Sequence, residues 1–443
     1  MITHAHHKTN NGLDDFIQGI HSHIQNFSHE PRWIHTLRKN ALNTLLKIGW
    51  PSKNQEDWKY TPIDQILNFP FLLAPTQTSQ ECDSSILKKL FGNLYDECQS
   101  IVFLNGHYVP TLSTIEKQSG LTIQSISEAI QTNSDSLLNH LSQYVSNKLH
   151  LFSSMNTALI QDGSMLHIHK NSQITKPIHL IHITHEKCSY FIPYRNLILA
   201  DKNSKSKIIE SYVSLSDSLY FNNIVSEIIL QEGAHCEHHK LQMESKDAFH
   251  IATNQIIQNK NSHYENTLIQ LGSKVARNEL FVQMQGEGSD CQLNGLYYGN
   301  SNQFLDQQIT VDHKNPNTIS KQNYKGILDN HSEGVFNGRI HVFPKAQQIQ
   351  AEQMNKNLLL NENAQIHTNP QLEILADDVK CSHGATVGQL DRDALFYLRC
   401  RGIAEKKAKQ ILTYAFANEI FKKTEFSWVQ KHIKKSILCP PKH

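Results

Sequence analysis

The first part of the chain shows the hydrophobic spacing of an amphipathic helix. Apolar residues recur every three or four positions across residues 34–46, which places them on one face of a helix. Pro31 predicts the start of this helix, and Gly49 predicts its end because glycine readily adopts the conformation that terminates a helix. A shorter helical stretch follows at residues 85–94, so residues 1–100 are predicted to form an N-terminal helical domain.

The pattern changes at about Ile101. Two runs rich in β-branched residues flank Asn105-Gly106, a pair that favours the tight turn of a β-hairpin. From there to about residue 375, short β-type runs alternate with turns of Gly, Asn and Ser, and helical spacing is not evident. Residues 101–385 are therefore predicted to form a β-rich core.

A weak internal repeat runs through this core. A turn made of Lys or Glu, then Asn or Gly, then Ser or Ala recurs, and its third positions are 32, 30, 28 and 27 residues apart. These third positions are Ser172, Ser204, Ala234, Ser262 and Ser289. A similar turn stands at residues 362–364. A nearly constant period favours a β-solenoid, whose stacked coils bury one another's apolar faces. A large sandwich or open sheet with chance spacing is the alternative.

Helical spacing returns after residue 390. Asp391 can cap a short helix that runs through ALFYL and ends at Gly402. A longer helix follows, with lysines mostly off its apolar face. The apolar positions are Ala404, Ala408, Ile411, Leu412, Ala415, Phe416 and Ile420. A last amphipathic segment is predicted at residues 426–438, and residues 386–443 are predicted to form a C-terminal helical domain.

Length and charge narrow the class of protein. At 443 residues the chain is too long for one compact core, and its formal net charge of +1 gives no general attraction to nucleic acid or to a membrane surface. We find no apolar run that could span a bilayer and no secretory signal, which predicts a cytoplasmic protein. Charge is nevertheless uneven, because Arg401 to His443 contains ten Lys or Arg and three Glu, a local excess of +7.

The eight cysteines are scattered and include no CxxC pair. In a cytoplasmic protein this predicts reduced thiols, with no cofactor or stable metal site in the isolated chain. The positions are Cys82, Cys98, Cys188, Cys236, Cys291, Cys381, Cys400 and Cys439.

The segment VKCSHGATVG, from Val379 to Gly388, carries the clearest chemical signal. If it is a strand, Cys381 and His383 project from one face about 7 Å apart, and Ser382 projects from the other. A thiolate and an imidazole on one face can both bind a soft metal such as iron, copper or zinc. Two ligands are too few for a stable site, so the others would have to come from elsewhere, including another chain. The alternative is a packed cysteine and a hydrogen-bonded histidine at a domain junction.

Two weaker motifs have simpler explanations. His235-Cys236-Glu237-His238-His239 splits between the two faces of a strand and has the residue types of a zinc site, but a solvated strand in a chain with 27 histidines is favoured. The histidines at 167, 169, 179, 182 and 185 are interpreted in the same way. Residues 400–412 are similar to a helix-hairpin-helix DNA-binding element, but Ala404 replaces the second hairpin glycine. A basic helical domain docking on an acidic protein explains the same residues.

Longer segments carry a family signature. They are YKGILDNHSEGVFNGRIHV (Tyr324 to Val342), NKNLLLNENAQIHTNPQLEILADDVKCSHGATVGQLD (Asn355 to Asp391), ALFYLRCRGI with the following AxxIL (Ala394 to Leu412), ARNELFVQMQGEGSDCQLNGLYY (Ala276 to Tyr298), NTALIQDG (Asn156 to Gly163) and EDWKYTP (Glu56 to Pro62). Together they resemble the SufB/SufD family of iron–sulfur cluster assembly proteins. The glycine after CSH and the GQLD continuation favour the SufD branch over the SufB branch. Cys400 departs from the family pattern, in which we expect a polar residue, and its role is open.

The resemblance implies a fold, partners and a site. The fold would be a right-handed parallel β-helix with helical domains at both ends. The β-helix would pair with SufB, or with a second copy of the chain when alone, and the C-terminal helical domain would bind the ABC-type ATPase SufC. Cys381 and His383 would lie at the SufB interface as cluster or iron ligands. The candidate SufC-binding residues are Leu395, Leu398, Ile411, Leu412 and Phe416.

The function expected on this basis is that of a scaffold and not of an enzyme. The chain would be a non-ATPase subunit of a SufBCD complex that holds an iron–sulfur cluster transiently. The sequence has no GxxxxGK[ST], GxGxxG, GxSxG or HExxH motif and hence no self-contained catalytic site. The alternative is a β-helical polysaccharide lyase or hydrolase, which would need clustered acidic or arginine residues on one face of the solenoid.

Overall fold

The computed structural model describes residues 30–67, 72–75, 83–145, 151–185, 189–421 and 434. Within these ranges the helices are α1 (Arg32–Ile48), α2 (Ile63–Leu67), α3 (Ser84–Phe91), α4 (Asn93–Glu97), α5 (Ile126–Gln131), α6 (Asp135–His140), α7 (Leu151–Ala158), α8 (Arg392–Cys400) and α9 (Glu405–Phe421). The predicted segment at 426–438 lies outside the described residues except for Lys434, as do Cys82, Cys188 and Cys439.

The strands fall into an opening group and a long repeating series. The opening group is β1 (Leu72–Leu73), β2 (Gln99–Leu104), β3 (His107–Tyr108) and β4 (Leu121–Ser125). The series is β5 (Asp162–Ile168), β6 (Ile178–Thr184), β7 (Tyr190–Ala200), β8 (Lys205–Ser214), β9 (Phe221–Leu230), β10 (His235–Met243), β11 (Phe249–Gln258), β12 (His263–Gln270), β13 (Val275–Met284), β14 (Asp290–Gly299), β15 (Phe304–His313), β16 (Ile319–Leu328), β17 (Glu333–Val342), β18 (Ile349–Leu359), β19 (Gln365–Ile374) and β20 (Val379–Gly388).

Successive strands of the series alternate between two sheets. The odd-numbered strands β5 to β19 form sheet A, and the even-numbered strands β6 to β20 form sheet B. Within each sheet the inner strands of the series pair in parallel with the strands one coil before and one coil after them, and β2 extends sheet B beside β6. The chain therefore winds as a β-solenoid of about seven turns with helices towards both termini, which confirms the predicted fold.

One corner of the solenoid explains the sequence repeat. The second residue of each predicted turn has a positive φ, which asparagine and glycine adopt more easily than other residues. These residues are Asn171, Asn203, Gly233, Asn261 and Gly288. Each donates its backbone N–H to the turn of the next coil, as from Asn203 to the Glu232 carbonyl at 3.0 Å. The turns thus stack where sheet A passes to sheet B.

The prediction that residues 362–364 belong to this series is wrong. That turn joins β18 to β19 and so lies at the opposite corner, where sheet B passes to sheet A. The next member of the series is at Asn317, which has a φ of 58° and donates its N–H to the Gln347 carbonyl at 3.0 Å. Its Asn-Pro-Asn-Thr sequence departs from the repeat, which is why the pattern does not reveal it.

Most strands of the series are buried on both faces. Inward-facing residues such as Leu180, Ile224 and Tyr324 fill the solenoid interior. The outer face of sheet A packs against α1 and α7, and that of sheet B packs against α3, α4 and α9. Burial on both faces accounts for the long apolar runs in the sequence.

The opening elements match the sequence in part. α1 begins after Pro31 and is followed by Gly49, so the predicted helix is confirmed. Asn105 and Gly106 both have positive φ in the turn between β2 and the antiparallel β3, so the predicted hairpin is confirmed as well. The expectation that helices are absent between residues 101 and 375 is wrong, because α5, α6 and α7 lie there. Their lengths of six to eight residues are too short for a clear helical period.

Candidate functional site at the open end of the solenoid

The last coil consists of β19 in sheet A and β20 in sheet B. Each strand has ten residues and pairs on one side only, with β17 or β18, and no described strand covers its other edge. Side chains are more exposed here than in earlier coils: Ile374, Leu375 and Val387 are 39%, 53% and 49% exposed. An unpaired edge of this length is a template for pairing with another strand. We call β19 and β20 together the open end.

The open end carries the predicted metal ligands on its inward face. Cys381 lies opposite Ala351 and His383 lies opposite Gln353, and both partners are buried, inward-facing residues of β18. Ser382 alternates with them and projects from the other face. The strand and its register therefore place Cys381 and His383 on one face, as expected from the sequence, and their role as ligands stays a prediction.

The two candidate ligands differ in their surroundings. Cys381 is half-buried and packs against a small apolar cluster that includes Val342 and Ala351, whereas His383 is exposed. Burial raises the pKa of the Cys381 thiol, and a hydrogen bond with the Ala351 backbone offsets this only in part. The thiol is therefore protonated at neutral pH. Among the described residues, no third His, Cys, Asp or Glu converges on the pair, so a stable metal site here requires ligands from outside them.

A polar ladder behind the open end ties both edge strands to the preceding coils. The Thr368 hydroxyl of β19 donates to the Asn355 side chain at 2.9 Å, and the Asn357 amide donates to the Thr386 carbonyl of β20 at 3.4 Å. Asn355 in turn donates to the Tyr297 hydroxyl at 3.1 Å. These bonds hold β19 and β20 in place, so the edge is presented in a defined shape.

The C-terminal helices fold back onto sheet B. Asp391 caps α8 by accepting two backbone N–H groups of its first turn, as predicted. α9 packs with Ile420 in the apolar cluster on the outer face of sheet B. The buried Lys325 of β16 fixes this contact, because its Nζ lies 2.5 Å from the Glu419 carboxylate and 2.9 Å from the Phe416 carbonyl.

The residues predicted to bind the ATPase partner fall into two groups. Four are half-buried on α8 and α9, and they are Leu395, Leu398, Ile411 and Leu412. Leu395 also lines a groove between α8, α9 and the turn after β18. Phe416 faces the solenoid, with its ring centroid 4.4 Å from Lys325 Nζ. Its contacts hold α9 on sheet B. Ala404 and Ala415, predicted on the apolar face of this helix, are exposed.

Sequence reasoning missed the most exposed apolar side chains of this region. Phe396 and Tyr397 of α8 are 67% and 57% exposed, and no residue of α8, which the structure describes in full, is buried. Cys400 is also exposed, at the end of the same helix. Exposed neighbouring aromatic residues are typical of a protein-binding surface. The signal in the sequence was that ALFYL has apolar residues on more than one helix face.

β10 corrects the interpretation of the histidine-rich segment. Cys236 and His238 face the interior and are buried, and His239 is buried on the outer face. His238 contacts the Glu210 carboxylate at 2.9 Å and the Tyr264 hydroxyl at 3.0 Å. The predicted split between two faces is right, but the predicted solvated strand is wrong, because the neighbouring coils and helices cover it.

The segment EDWKYTP anchors the N-terminal region to the solenoid. Arg277 of β13 is buried, with its guanidinium 3.7 Å from the centroid of the Trp58 ring and 2.6 Å from the Asp306 carboxylate. It also donates to the Thr61 hydroxyl at 3.0 Å. Thr61 and Arg277 are 216 residues apart in the chain. Two segments of the family signature therefore meet in one buried ion-pair cluster.

The fold defines a β-solenoid protein with an uncovered last coil, and comparison with known proteins gives its family. The family model described as SUF system FeS cluster assembly, SufBD core domain, matches residues 182–416. The model described as SufBD protein N-terminal region matches residues 8–180. The chain belongs to the SufBD family of iron–sulfur cluster assembly proteins.

Relatives support this membership along almost the whole chain. An iron–sulfur cluster assembly SufBD family protein of Synechocystis is 32% identical, covering 99% of this chain and 97% of the relative. The iron–sulfur cluster assembly protein SufD of Escherichia coli is 31% identical, covering 86% of each chain. The protein named ABCI7, chloroplastic, of Arabidopsis thaliana is 30% identical, covering 87% of this chain and 82% of the relative.

These matches place the chain in iron–sulfur cluster assembly. The alternative hypothesis of a polysaccharide lyase or hydrolase receives no support from them. Of the helices that the structure describes, none is long and apolar enough to cross a membrane.

Proposed function

We propose that this chain is a non-ATPase scaffold subunit of a SufBCD-type complex. It pairs end to end with a SufB-type β-helix and carries a SufC-type ATPase on its C-terminal helices. The open end is the observation that carries this proposal, because a ten-residue strand ends each of the two sheets and no described strand covers its outer edge. Location in the cytoplasm and the absence of nucleic-acid partners stay predictions.

Edge pairing accounts for the physical character of the open end. The outer edges of β19 and β20 present backbone N–H and C=O groups in a regular row, and a partner strand can satisfy them. Pairing would also remove Ile374, Leu375 and Val387 from water, which contributes roughly 25 cal/mol per Å² of apolar surface. A second copy of the chain offers the same edges. In the absence of the SufB-type partner, it could therefore pair with the open end and form a homodimer.

The position of Cys381 and His383 suits a shared cluster site. Both lie on the inward face of the last coil, so a partner coil stacked on the open end would bring its own side chains against them. Iron–sulfur clusters are commonly held by four ligands, and the two from this chain leave the others to the partner. A cluster bound in this way belongs to the complex, and the isolated chain would carry no stoichiometric iron–sulfur cluster and no catalytic activity of its own.

The ATPase contact is assigned to α8 and the adjoining groove. Phe396 and Tyr397 provide exposed aromatic anchors, and Lys406 and Lys409 line the groove beside Leu395. Aromatic anchors with charged residues around them are characteristic of protein interfaces. The basic excess from Arg401 onwards favours an acidic surface on the partner.

Co-expression with the SufB-type and SufC-type proteins of the same genome tests the proposal. We expect Val387→Lys to weaken retention of the SufB-type protein at least about tenfold, because the lysine places a charge in the paired edge. Leu46→Lys is the matched control, since Leu46 of α1 is 47% exposed and far from the open end in sequence. Phe396→Ala should instead weaken retention of the SufC-type protein. Equal retention of the SufB-type protein by both lysine variants would contradict the proposed pairing.

A further inference from the structure

Two histidines and an aspartate meet on the outer face of sheet A at the first coil, far along the solenoid from the open end. One ring nitrogen of His167, one of His169 and a carboxylate oxygen of Asp201 all lie within 4.8 Å of one another. We infer that His167, His169 and Asp201 form a binding site for a divalent transition-metal ion such as Zn²⁺ or Fe²⁺. The inference does not depend on the partners proposed above.

The strand geometry dictates this meeting. His167 is near the end of β5 and His169 follows that strand, so the two side chains project from the same face. β5 pairs in parallel with β7, and the register that joins His167 to Leu199 places Asp201 beside His169. The Asp201 N–H donates to the Ile168 carbonyl at 2.9 Å and holds this position.

The distances suit a single ion. His167 Nε2 lies 3.0 Å from Asp201 Oδ2, and the two imidazole rings have their centroids 4.3 Å apart at 45° to one another. Around Zn²⁺, with bonds of about 2.0–2.2 Å, ligand atoms are separated by roughly 3.3 Å, so only small side-chain movements are needed. The side chains of His167 and Asp201 are 19% and 36% exposed, which leaves a route for the ion.

Neighbouring hydroxyls orient both rings. The Ser136 hydroxyl lies 3.3 Å from His167 Nδ1, which is the ring nitrogen that does not face Asp201. The Thr122 hydroxyl lies 3.0 Å from His169 Nε2. Metal-binding histidines characteristically hydrogen-bond a second group through the nitrogen that is not the ligand, which fixes the tautomer and the ring orientation.

The donor set selects the class of metal. Two imidazoles and one carboxylate are ligands that Zn²⁺ and Fe²⁺ accept, whereas Mg²⁺ and Ca²⁺ prefer oxygen ligands throughout. Three protein ligands leave at least one coordination position for water or for another molecule. The site is therefore more open than a four-ligand structural zinc site.

A second histidine cluster of the same chain shows how the proposed site differs from an ordinary His–Asp pair. His263 lies 2.9 Å from Asp290, and His235 stacks on His263 with ring centroids 4.4 Å apart. The residue types and the exposure resemble those of the first cluster. Among the described residues, however, three such groups converge only at His167, His169 and Asp201. The second cluster is consequently a matched control within the same protein.

Metal titration of the full-length chain tests the site. The sequence has three histidines at positions 4, 6 and 7, so the background protein should carry His4→Ala, His6→Ala and His7→Ala to remove binding there. Isothermal titration with Zn²⁺, and absorption spectra with Co²⁺ as a substitute, would measure affinity and coordination. We expect one equivalent to bind, and an excess of Mg²⁺ to leave it bound.

The variants decide the outcome. Asp201→Asn and His169→Gln should each weaken Zn²⁺ binding at least about tenfold, whereas Asp290→Asn should leave it unchanged. X-ray absorption of the Zn²⁺-loaded background protein should show nitrogen and oxygen donors only, a result that does not depend on how the variants fold. Absence of binding in the background protein, equal binding by Asp201→Asn, or sulfur in the coordination shell would each overturn the inference.

Discussion

Two Cys-x-His pairs occupy equivalent positions of sheet B, one in the middle of the solenoid and one at the open end. The strand register from β10 through β12, β14, β16 and β18 to β20 aligns Cys236 with Cys381 and His238 with His383. The β10 pair is covered by a coil on each side and is buried. In β20, Cys381 is half-buried and His383 is exposed. The residue pattern is the same in both pairs, and the difference is that a further coil covers the β10 pair but not the β20 pair.

This cover changes the chemistry of the pair. Burial raises the pKa of the Cys236 thiol to about 12, and His238 is held between Glu210 and Tyr264. Burial alone would raise the pKa of Glu210, but the hydrogen bond with His238 and the charge of Lys240 outweigh it and hold the pKa below its ordinary value. The inner pair is thus part of a closed structural network. The pair in β20 can contact a partner protein because it is accessible from outside, and not because its residue types differ from those of the β10 pair.

Thiol reactivity should show the largest difference between the two pairs. We expect iodoacetamide to modify Cys381 at least about a hundredfold faster than Cys236, because Cys236 is reached only when the coils open. Cys400, which is exposed, should react faster than Cys381. Peptide mapping by mass spectrometry over time measures each rate separately. Similar rates for Cys236 and Cys381 would show that the inner coils are not closed.

Removing the charge that holds the inner pair should cost the most stability. Glu210→Ala leaves the buried His238 without its carboxylate and leaves the buried Lys240 with Glu244 alone, so we expect the free energy of unfolding to fall by about 3–5 kcal/mol. Glu237→Ala is the control, on the outer face of the neighbouring strand β10. Its side chain is 24% exposed in an ion pair with Lys207, and its loss should cost about 1 kcal/mol or less. Urea denaturation of both variants measures the difference, and equal losses would contradict the closed network.

The inner coils should also be sensitive to acid. Burial lowers the pKa of His182 to about 3, while a histidine in the unfolded chain takes up a proton near pH 6.5. As the pH falls below about 6.5, the unfolded state gains a proton that the folded state excludes, so stability is lost until the pH nears 3.

His182→Phe should remove this part of the acid sensitivity. His182 stacks with Phe103 and Tyr212 at centroid distances of 5.1 and 4.5 Å, so a phenyl ring can take its place. As the pH falls from 7 to 5, the free energy of unfolding of the wild type should fall by about 2 kcal/mol more than that of the variant. Urea denaturation at both pH values gives the comparison. The same change with pH in both proteins would mean that His182 is protonated in the folded chain.

Replacing His383 should have the smallest effect on stability but a clear effect on the cluster content of the complex. Because its side chain is exposed, His383→Ala should change the free energy of unfolding by less than about 0.5 kcal/mol. The complex with the SufB-type and SufC-type partners should form and yet contain little iron and sulfide. His331→Ala, also exposed, is the control. Normal cluster content in the His383→Ala complex would remove the ligand hypothesis, and a complex that falls apart would indicate a structural role.

The sequence predicted those features that depend on local spacing. The period of the turns at Ser172 to Ser289 revealed the solenoid, and alternation along β20 correctly placed Cys381 and His383 on one face. The histidines at 179 and 182 were interpreted as solvated, yet both are buried, because cover by neighbouring coils is not encoded in the local pattern. The contact of Arg277 with Thr61 could not be predicted for the same reason, because the two residues are 216 positions apart in the chain.

Hydrogen–deuterium exchange tests the central claim, that the open end is where a partner β-helix pairs. Exchange would be followed by mass spectrometry in the free chain and in the complex with the SufB-type protein. We expect amides of β19 and β20 to become protected on binding, while those of β10, already protected, stay unchanged. Stable binding with unchanged exchange in β19 and β20, and new protection elsewhere on the solenoid, would contradict the account.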